Sequence, residues 1–136
     1  MIVADASAIV EVLLAMPRAG EVRAALVGHS ELHVPEHFHV ETLSALRRYA
    51  IRGELTQLRA AETLAALRDL RTLGYPVIEL AAEIWDLRDA LTAYDASYLA
   101  LAHRLDVGLV TLDGGLAAAA AREGRLALSG TWRKTG

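Results

Sequence analysis

The chain has 136 residues, 54% of them hydrophobic and 23% charged, with a formal net charge of −3. That length suits one domain, and the composition excludes a disordered chain because it offers enough apolar surface for a core. Cysteine is absent, which excludes disulfides and thiolate metal sites, and the negative balance excludes a global basic field for nucleic acid, though not a local meeting with a phosphodiester through metal ions.

Residues 1–5 read as a first strand. The apolar run Ile2-Val3-Ala4 is too short for a helix and ends at Asp5. Residues 6–15 predict a helix that Asp5 or Ser7 can cap, ended by Pro17, and residues 18–27 predict a second. Gly28-His29-Ser30 breaks the pattern, and 32–34 is a short strand. Pro35 suits the first turn of a helix over 36–51, which Gly53 stops. A longer amphipathic helix is expected over 55–73, closed by Gly74-Tyr75-Pro76, with 77–80 extended after it. Helices follow over 81–91 and 95–105. Residues 107–112 are the clearest second strand, ended by Asp113. Gly114 and Gly115 open an alanine-rich helix through Arg122, Gly124 stops it, and 125–128 read as a last short strand. The tail, 129–136, reads as weakly ordered.

Strands alternating with helices predict an α/β fold, a parallel sheet covered on both faces, in one domain over residues 1–136. No apolar run reaches the ~18 residues of a membrane span. The N-terminus lacks the basic start and cleavage site of a signal peptide. A cytoplasmic protein with no membrane partner is the expectation.

Two carboxylates, Asp5 and Asp113, stand just after apolar strands. Parallel strands bring both to one sheet edge, where the ligand sites of open α/β sheets lie. Each is equally placed to cap the helix that follows. Asp95 opens a helix before the Asp113 strand and is also a cap candidate; periodicity alone does not bring it to the others. Glu41 lies inside the 36–51 helix and so cannot be a cap. On a wheel of roughly 100° per residue, Leu43, Leu46 and Ala50 form the apolar centre, continued by Phe38, Ala45 and Tyr49. Glu41 falls at the edge of that arc beside Ala45 and Arg48, where an ion pair with Arg48 or His37 is the plain alternative. As a set, four like charges in one cleft call for a cation. Oxygen ligands suit Mg²⁺ or Mn²⁺ rather than zinc, and such an ion activates water and stabilises charge on a phosphoryl group.

Four segments carry a resemblance: Ile2-Val3-Ala4-Asp5-Ala6-Ser7, the helix-borne Glu41 in residues 40–48, residues 92–102 around Asp95, and residues 109–116 around Asp113. In order and spacing, over nearly the whole chain, they resemble PIN domains, and specifically VapC-type toxins of bacterial toxin–antitoxin pairs. The resemblance implies a three-layer α/β/α fold with strand order 3-2-1-4-5. It implies an Mg²⁺-dependent endoribonuclease, with Mn²⁺ able to substitute, hydrolysing RNA phosphodiesters by a metal-activated water. Asp5, Glu41, Asp95 and Asp113 match the family's catalytic, metal-binding acids, and Ser7 and Thr111 match its supporting hydroxyls. It further implies an RNA substrate, a VapB-type antitoxin as partner and a homodimer. Gly114-Gly115 departs from relatives, which often carry larger polar or basic residues there, and this bears on substrate contacts.

Other features stand beside these. His33, His37 and His39 cluster in sequence but lack a matched second pair for zinc; surface or ion-pair roles fit better, with His37 placed to modulate an acidic pocket. Arg47, Arg48 and Arg52 form a basic patch at a helix C-terminus, suited to the macrodipole and solvent or to an RNA backbone. Tyr94, Tyr98 and Trp85 can stack bases, but at helical spacing they read first as core. Apolar stripes at 7–14, 18–27 and 55–70 suit core packing, and the resemblance adds a dimer face and an antitoxin groove to them. A receiver domain needs a lysine late in the sheet, and the one lysine is Lys134; a dehalogenase-like phosphatase needs a second Asp where Ser7 stands. The remaining rival is a catalytically silent PIN-like module that binds RNA or protein.

Overall fold

Val3 and Ala4, both fully buried, make the interior strand β1 (Val3–Ala4). The structure is a computed structural model and describes residues 1–128; the expectation for the tail, 129–136, lies outside the described residues. After β1 come α1 (Ala6–Leu13), α2 (Ala19–Leu26), β2 (Leu32–Pro35), α3 (Phe38–Ile51), α4 (Gln57–Asp69) and β3 (Thr72–Tyr75). A 3-10 turn over Val77–Leu80 leads to α5 (Ala81–Asp86), α6 (Ala93–Leu105), β4 (Leu109–Val110) and α7 (Gly114–Arg122).

All pairings are parallel and the order is β3-β2-β1-β4. Leu126 adds one parallel bridge to Leu109, with Leu109 N–H donating to Arg125 O at 2.7 Å and Ala127 N–H to Leu109 O at 2.9 Å. The last strand expected over 125–128 is therefore a single bridge, and of the expected order 3-2-1-4-5 the described residues form 3-2-1-4, four strands. α1 packs with α2, α3 and α4, whereas α6 touches β1, β2 and β4 and carries α5 and α7. These two helical groups flank the sheet. The core joins Val3, Ile9, Val34, Phe38, Tyr98, Leu101, Leu109 and Leu116, all within 2% of full burial.

Four local expectations are corrected. Residues 72–75, read as the end of a helix, are the edge strand β3, paired from Leu32↔Thr72 to Pro35↔Tyr75. An edge strand half open to water lacks a buried stripe, and Leu73, 44% exposed, mimics a helix flank. The extended piece expected at 77–80 is instead the 3-10 turn that follows Pro76. Pro35 is the last residue of β2 rather than part of a helix turn; its nitrogen faces the β1 side, where the ladder has already ended. On α3 the buried line is Phe38, Thr42 and Leu46, while Leu43 and Ala50 are exposed. Thr42, a polar residue, sits in the core because its hydroxyl donates back to Phe38 O at 2.9 Å.

Gly108 marks a tight approach between β4 and the last bridge. A Cβ there would lie 2.9 Å from Ala127 Cβ and 3.5 Å from Arg125 O. Gly108→Ala is expected to destabilise the fold by about 1–3 kcal/mol, because the Ala127 segment must shift as in other overpacked sites. Urea denaturation of the purified variant measures it; an unchanged midpoint would show that the segment moves freely.

Candidate functional site

The register of the sheet sets the first contact. Ala4 pairs with Val110, so Asp5 and Thr111 leave their strands side by side. Asp5 N–H donates to Val110 O at 2.9 Å, fixing the backbone. Asp5 Oδ2 then accepts two hydroxyls, Ser7 Oγ at 2.6 Å and Thr111 Oγ1 at 2.7 Å. Thr111 Oγ1 also takes the Asp113 N–H at 3.1 Å, and Ser7 Oγ takes the Leu112 N–H at 3.1 Å. Asp5 occupies the N-cap position of α1 but makes no side-chain cap bond. Its carboxylate is committed across the sheet instead. Ser7 and Thr111, which match supporting hydroxyl positions, thus both touch one acid, Asp5.

Asp113 does cap its helix: Oδ2 accepts the Leu116 N–H at 2.9 Å. Asp95 is not the cap of α6. Thr92 is, with its hydroxyl accepting the Asp95 N–H at 3.2 Å, and Asp95 stands in the first turn. A helix between two parallel strands runs back against them, so its N-terminus lies at their C-terminal edge. This brings Asp95 to the same end as Asp5 and Asp113. Glu41 arrives likewise in the first turn of α3, which starts soon after β2 ends.

Glu41 is held by two side chains on one oxygen. Tyr98 OH donates to Oε1 at 3.0 Å, and His37 Nδ1 contacts the same atom. His37 Nε2 in turn meets Ser97 Oγ at 2.7 Å. Of the two ion-pair partners expected for Glu41, His37 is the one found; Arg48 makes no such pair among the described residues. Ser97, Tyr98 and Thr92 were not singled out for these roles by the sequence, although Tyr98 lies one turn after Asp95 and Thr92 stands at capping-box spacing before it.

The four acids feel one another. Burial pushes the Asp5 carboxyl up from its ordinary range, the Ser7 and Thr111 hydroxyls pull it back, and the charges of Glu41 and Asp113 add to the rise. Asp95 is pushed up to about 6, by burial first and then by Asp113, Asp5 and Glu41. The Tyr98 hydroxyl is held far above its usual range by burial and by Asp5 and Glu41, so it stays a donor. Among the described residues no three His, Cys, Asp or Glu side chains form a ready-made metal cage. The donor set is nevertheless all oxygen, and Asp5, Glu41 and Asp113 each commit one oxygen to a protein donor. Mg²⁺ takes only one or two carboxylates directly and keeps several waters, so such a set fits an ion held partly through water.

The other candidates are placed elsewhere. Arg47, Arg48 and Arg52 lie on or just beyond the last turns of α3, with the Arg52 guanidinium 4.9 Å over the Tyr49 ring and 3.6 Å from Glu54. Counting along the helix axis, they stand roughly 9–17 Å past Glu41. His33 Nδ1 bonds Tyr75 OH at 2.7 Å and His39 lies edge-on to Phe38, so the three histidines share no ligand position. Of the three aromatics read first as core, only Tyr98 is; Tyr94 is 63% and Trp85 66% exposed. A Cβ on Gly114 would meet nothing within 4 Å, so the departure at this position leaves open space beside Asp113.

A PIN-domain family model matches residues 2–122. The chain is 43% identical over 113 residues to Ribonuclease VapC9 of Mycobacterium tuberculosis, covering 83% of this chain and 86% of the relative. It is 35% identical over 117 residues to Ribonuclease VapC12 of the same species, covering 86% and 90%. Among solved structures, it superposes on VapC20 of M. tuberculosis, a sarcin–ricin loop cleaving toxin, with a TM-score of 0.66 and 17% identity over 88% of this chain and 95% of that one. This last likeness is one of fold.

Proposed function

The chain belongs to the PIN-domain family, among its VapC-type members, and on that premise we propose that it is a metal-dependent endoribonuclease acting as the toxin of a VapBC-type pair. The observation that carries the metal and the mechanism is the acid cluster: four carboxylates delivered to one sheet edge, two of them with their protonation pushed upward by burial and by one another. A cation relieves that repulsion. Asp5, Glu41, Asp95 and Asp113 would hold Mg²⁺, or Mn²⁺ in its place. When bound, such an ion polarises a phosphoryl oxygen and acidifies water.

The chain's own contribution is rigidity. Asp5 is locked by two hydroxyls, Glu41 by Tyr98 and His37, and Asp113 by its cap bond, so little reorganisation remains when substrate arrives. Ser7 and Thr111 orient a carboxylate and are positioning residues. Arg47, Arg48 and Arg52 are too far along α3 to meet the scissile phosphate and serve, in this reading, phosphates farther along the strand. The names of the relatives support RNA as substrate and a VapB-type antitoxin as partner. An apolar groove between α3 and α4, lined by Leu43, Leu46, Ala60 and Leu64, offers a surface for a partner or a second copy. No helix among the described residues is long and apolar enough to cross a membrane, which agrees with the cytoplasmic location we propose.

The test is cleavage of total cellular RNA with Mg²⁺, with Mn²⁺ and with EDTA. Discrete fragments that EDTA abolishes are expected, and mapping their ends names the target. Fragments that persist in EDTA would sink the metal assignment. Binding of RNA with no cleavage under any ion would favour the silent module.

A further inference from the structure

Beside the acid cluster lies a small apolar pocket, about 100 Å³, lined by His37, Val77, Ala93 and Tyr94. Tyr94 immediately precedes Asp95 in the first turn of α6 and is 63% exposed. An exposed tyrosine usually samples several rotamers, but this one is backed. Its ring meets His37 edge-on, with centroids 5.5 Å apart at 85°, and His37 meets Tyr98 in the same way at 5.5 Å. His37 Nε2 meets Ser97 Oγ, and its Nδ1 lies against Glu41 Oε1. The Tyr94 carbonyl accepts Ser97 Oγ at 2.6 Å. Tyr94, His37 and Tyr98 therefore form a stack of rings from surface to core, whose outer member is fixed next to the acids.

Electrostatics decide what such a platform is for. The chain carries −3, the acids repel a phosphodiester, and the arginine patch is far along α3. Glu36 borders the pocket as well, its Oε1 accepting the Val77 N–H at 3.2 Å, and Glu41 lies against His37; these charges disfavour a phosphate there and tolerate a neutral base. Aromatic stacking supplies affinity for single strands without positive charge. Trp85 is exposed too, but the Arg88 guanidinium covers its ring at 4.9 Å. Resting on the ribonuclease reading, we propose that Tyr94 is the stacking platform for an unpaired base flanking the scissile phosphate.

The experiment uses the Asp5→Asn protein in Mg²⁺, which on the same reading does not cut, with a single-stranded oligoribonucleotide carrying 2-aminopurine. Stacking on Tyr94 is expected to quench the probe. Adding Tyr94→Ala is expected to abolish the quench and weaken binding roughly 5- to 150-fold. Tyr94→Phe and Tyr94→Trp keep both, and the same strand in a duplex gives no quench, because its bases are not free to stack. Equal quench and affinity in Tyr94→Ala, with circular dichroism unchanged, overturns the proposal. Should that variant instead bind RNA normally but lose self-association in sedimentation, the ring serves a protein contact and the proposal is equally overturned. If the Asp5→Asn parent binds no RNA while the wild type also cuts none, the ribonuclease reading itself fails.

Discussion

Asp95→Asn is expected to lose RNA cleavage by more than about a hundredfold, because even a residue that only supports a metal ligand typically accounts for 10–100-fold. The fold is expected to survive. Asp95 makes no ion pair among the described residues, its backbone N–H is satisfied by Thr92 whatever the side chain, and its charge is opposed by Asp113, Asp5 and Glu41. Removing that charge relieves repulsion, so in metal-free buffer the variant should melt at or above the wild-type temperature. Asp5→Asn should be as inactive but nearer neutral in stability, since an amide oxygen can still accept the Ser7 and Thr111 hydroxyls that now bond Oδ2. Initial rates on one RNA, with variants and wild type purified in parallel, decide the matter. Cleavage by Asp95→Asn at the wild-type rate would end its assignment to the site.

The second large effect is a pH dependence of stability that a divalent ion removes. An Asp carboxyl ordinarily titrates near 3.8, whereas Asp95 in the fold does so at about 6. Between those values the folded chain holds a proton that the unfolded chain has released. Stability therefore rises as pH falls through about 6, and the gain is complete below the unfolded value. In EDTA, the wild type should gain thermal stability from about pH 7 to about pH 5 relative to Asp95→Asn, whose contribution is flat. Adding Mg²⁺ at about pH 7 should raise the wild-type melting temperature, and do so less at about pH 5, where protons compete for the same oxygens. Using the variant as the reference isolates the contribution of Asp95 from that of every other group. Parallel pH profiles for the two proteins would contradict a protonated Asp95.

What the residues disclosed in advance, and what they concealed, follows from how local each signal was. Asp5 and Asp113 were readable because each ends an apolar strand, and parallel strands leave no choice of edge. Asp95 was left open, although the return direction of a helix between parallel strands already places its start at that edge. Glu41 was found as a carboxylate that no cap explains, but the wheel around it was centred wrongly, on Leu43 and Ala50. Hydropathy alone hid Thr42, whose hydroxyl is satisfied within its own helix. β3 was missed for the opposite reason: an edge strand containing Gly74 and an exposed Leu73 has neither clean alternation nor a buried run. The ties from Ser97 and Tyr98 to His37 and Glu41 span 60 and 57 residues, and nothing in a local pattern reports such distances.

The bond from Thr111 to Asp5 joins residues 106 positions apart. A ribosome delivers Asp5 long before it delivers β4. Until then the nascent polypeptide carries Asp5 beside a two-residue strand that lacks β4, its neighbour on one side. The acid cluster comes into being only when the final quarter of the chain folds back. A premature stop before residue 111 thus yields a fragment in which this site cannot form.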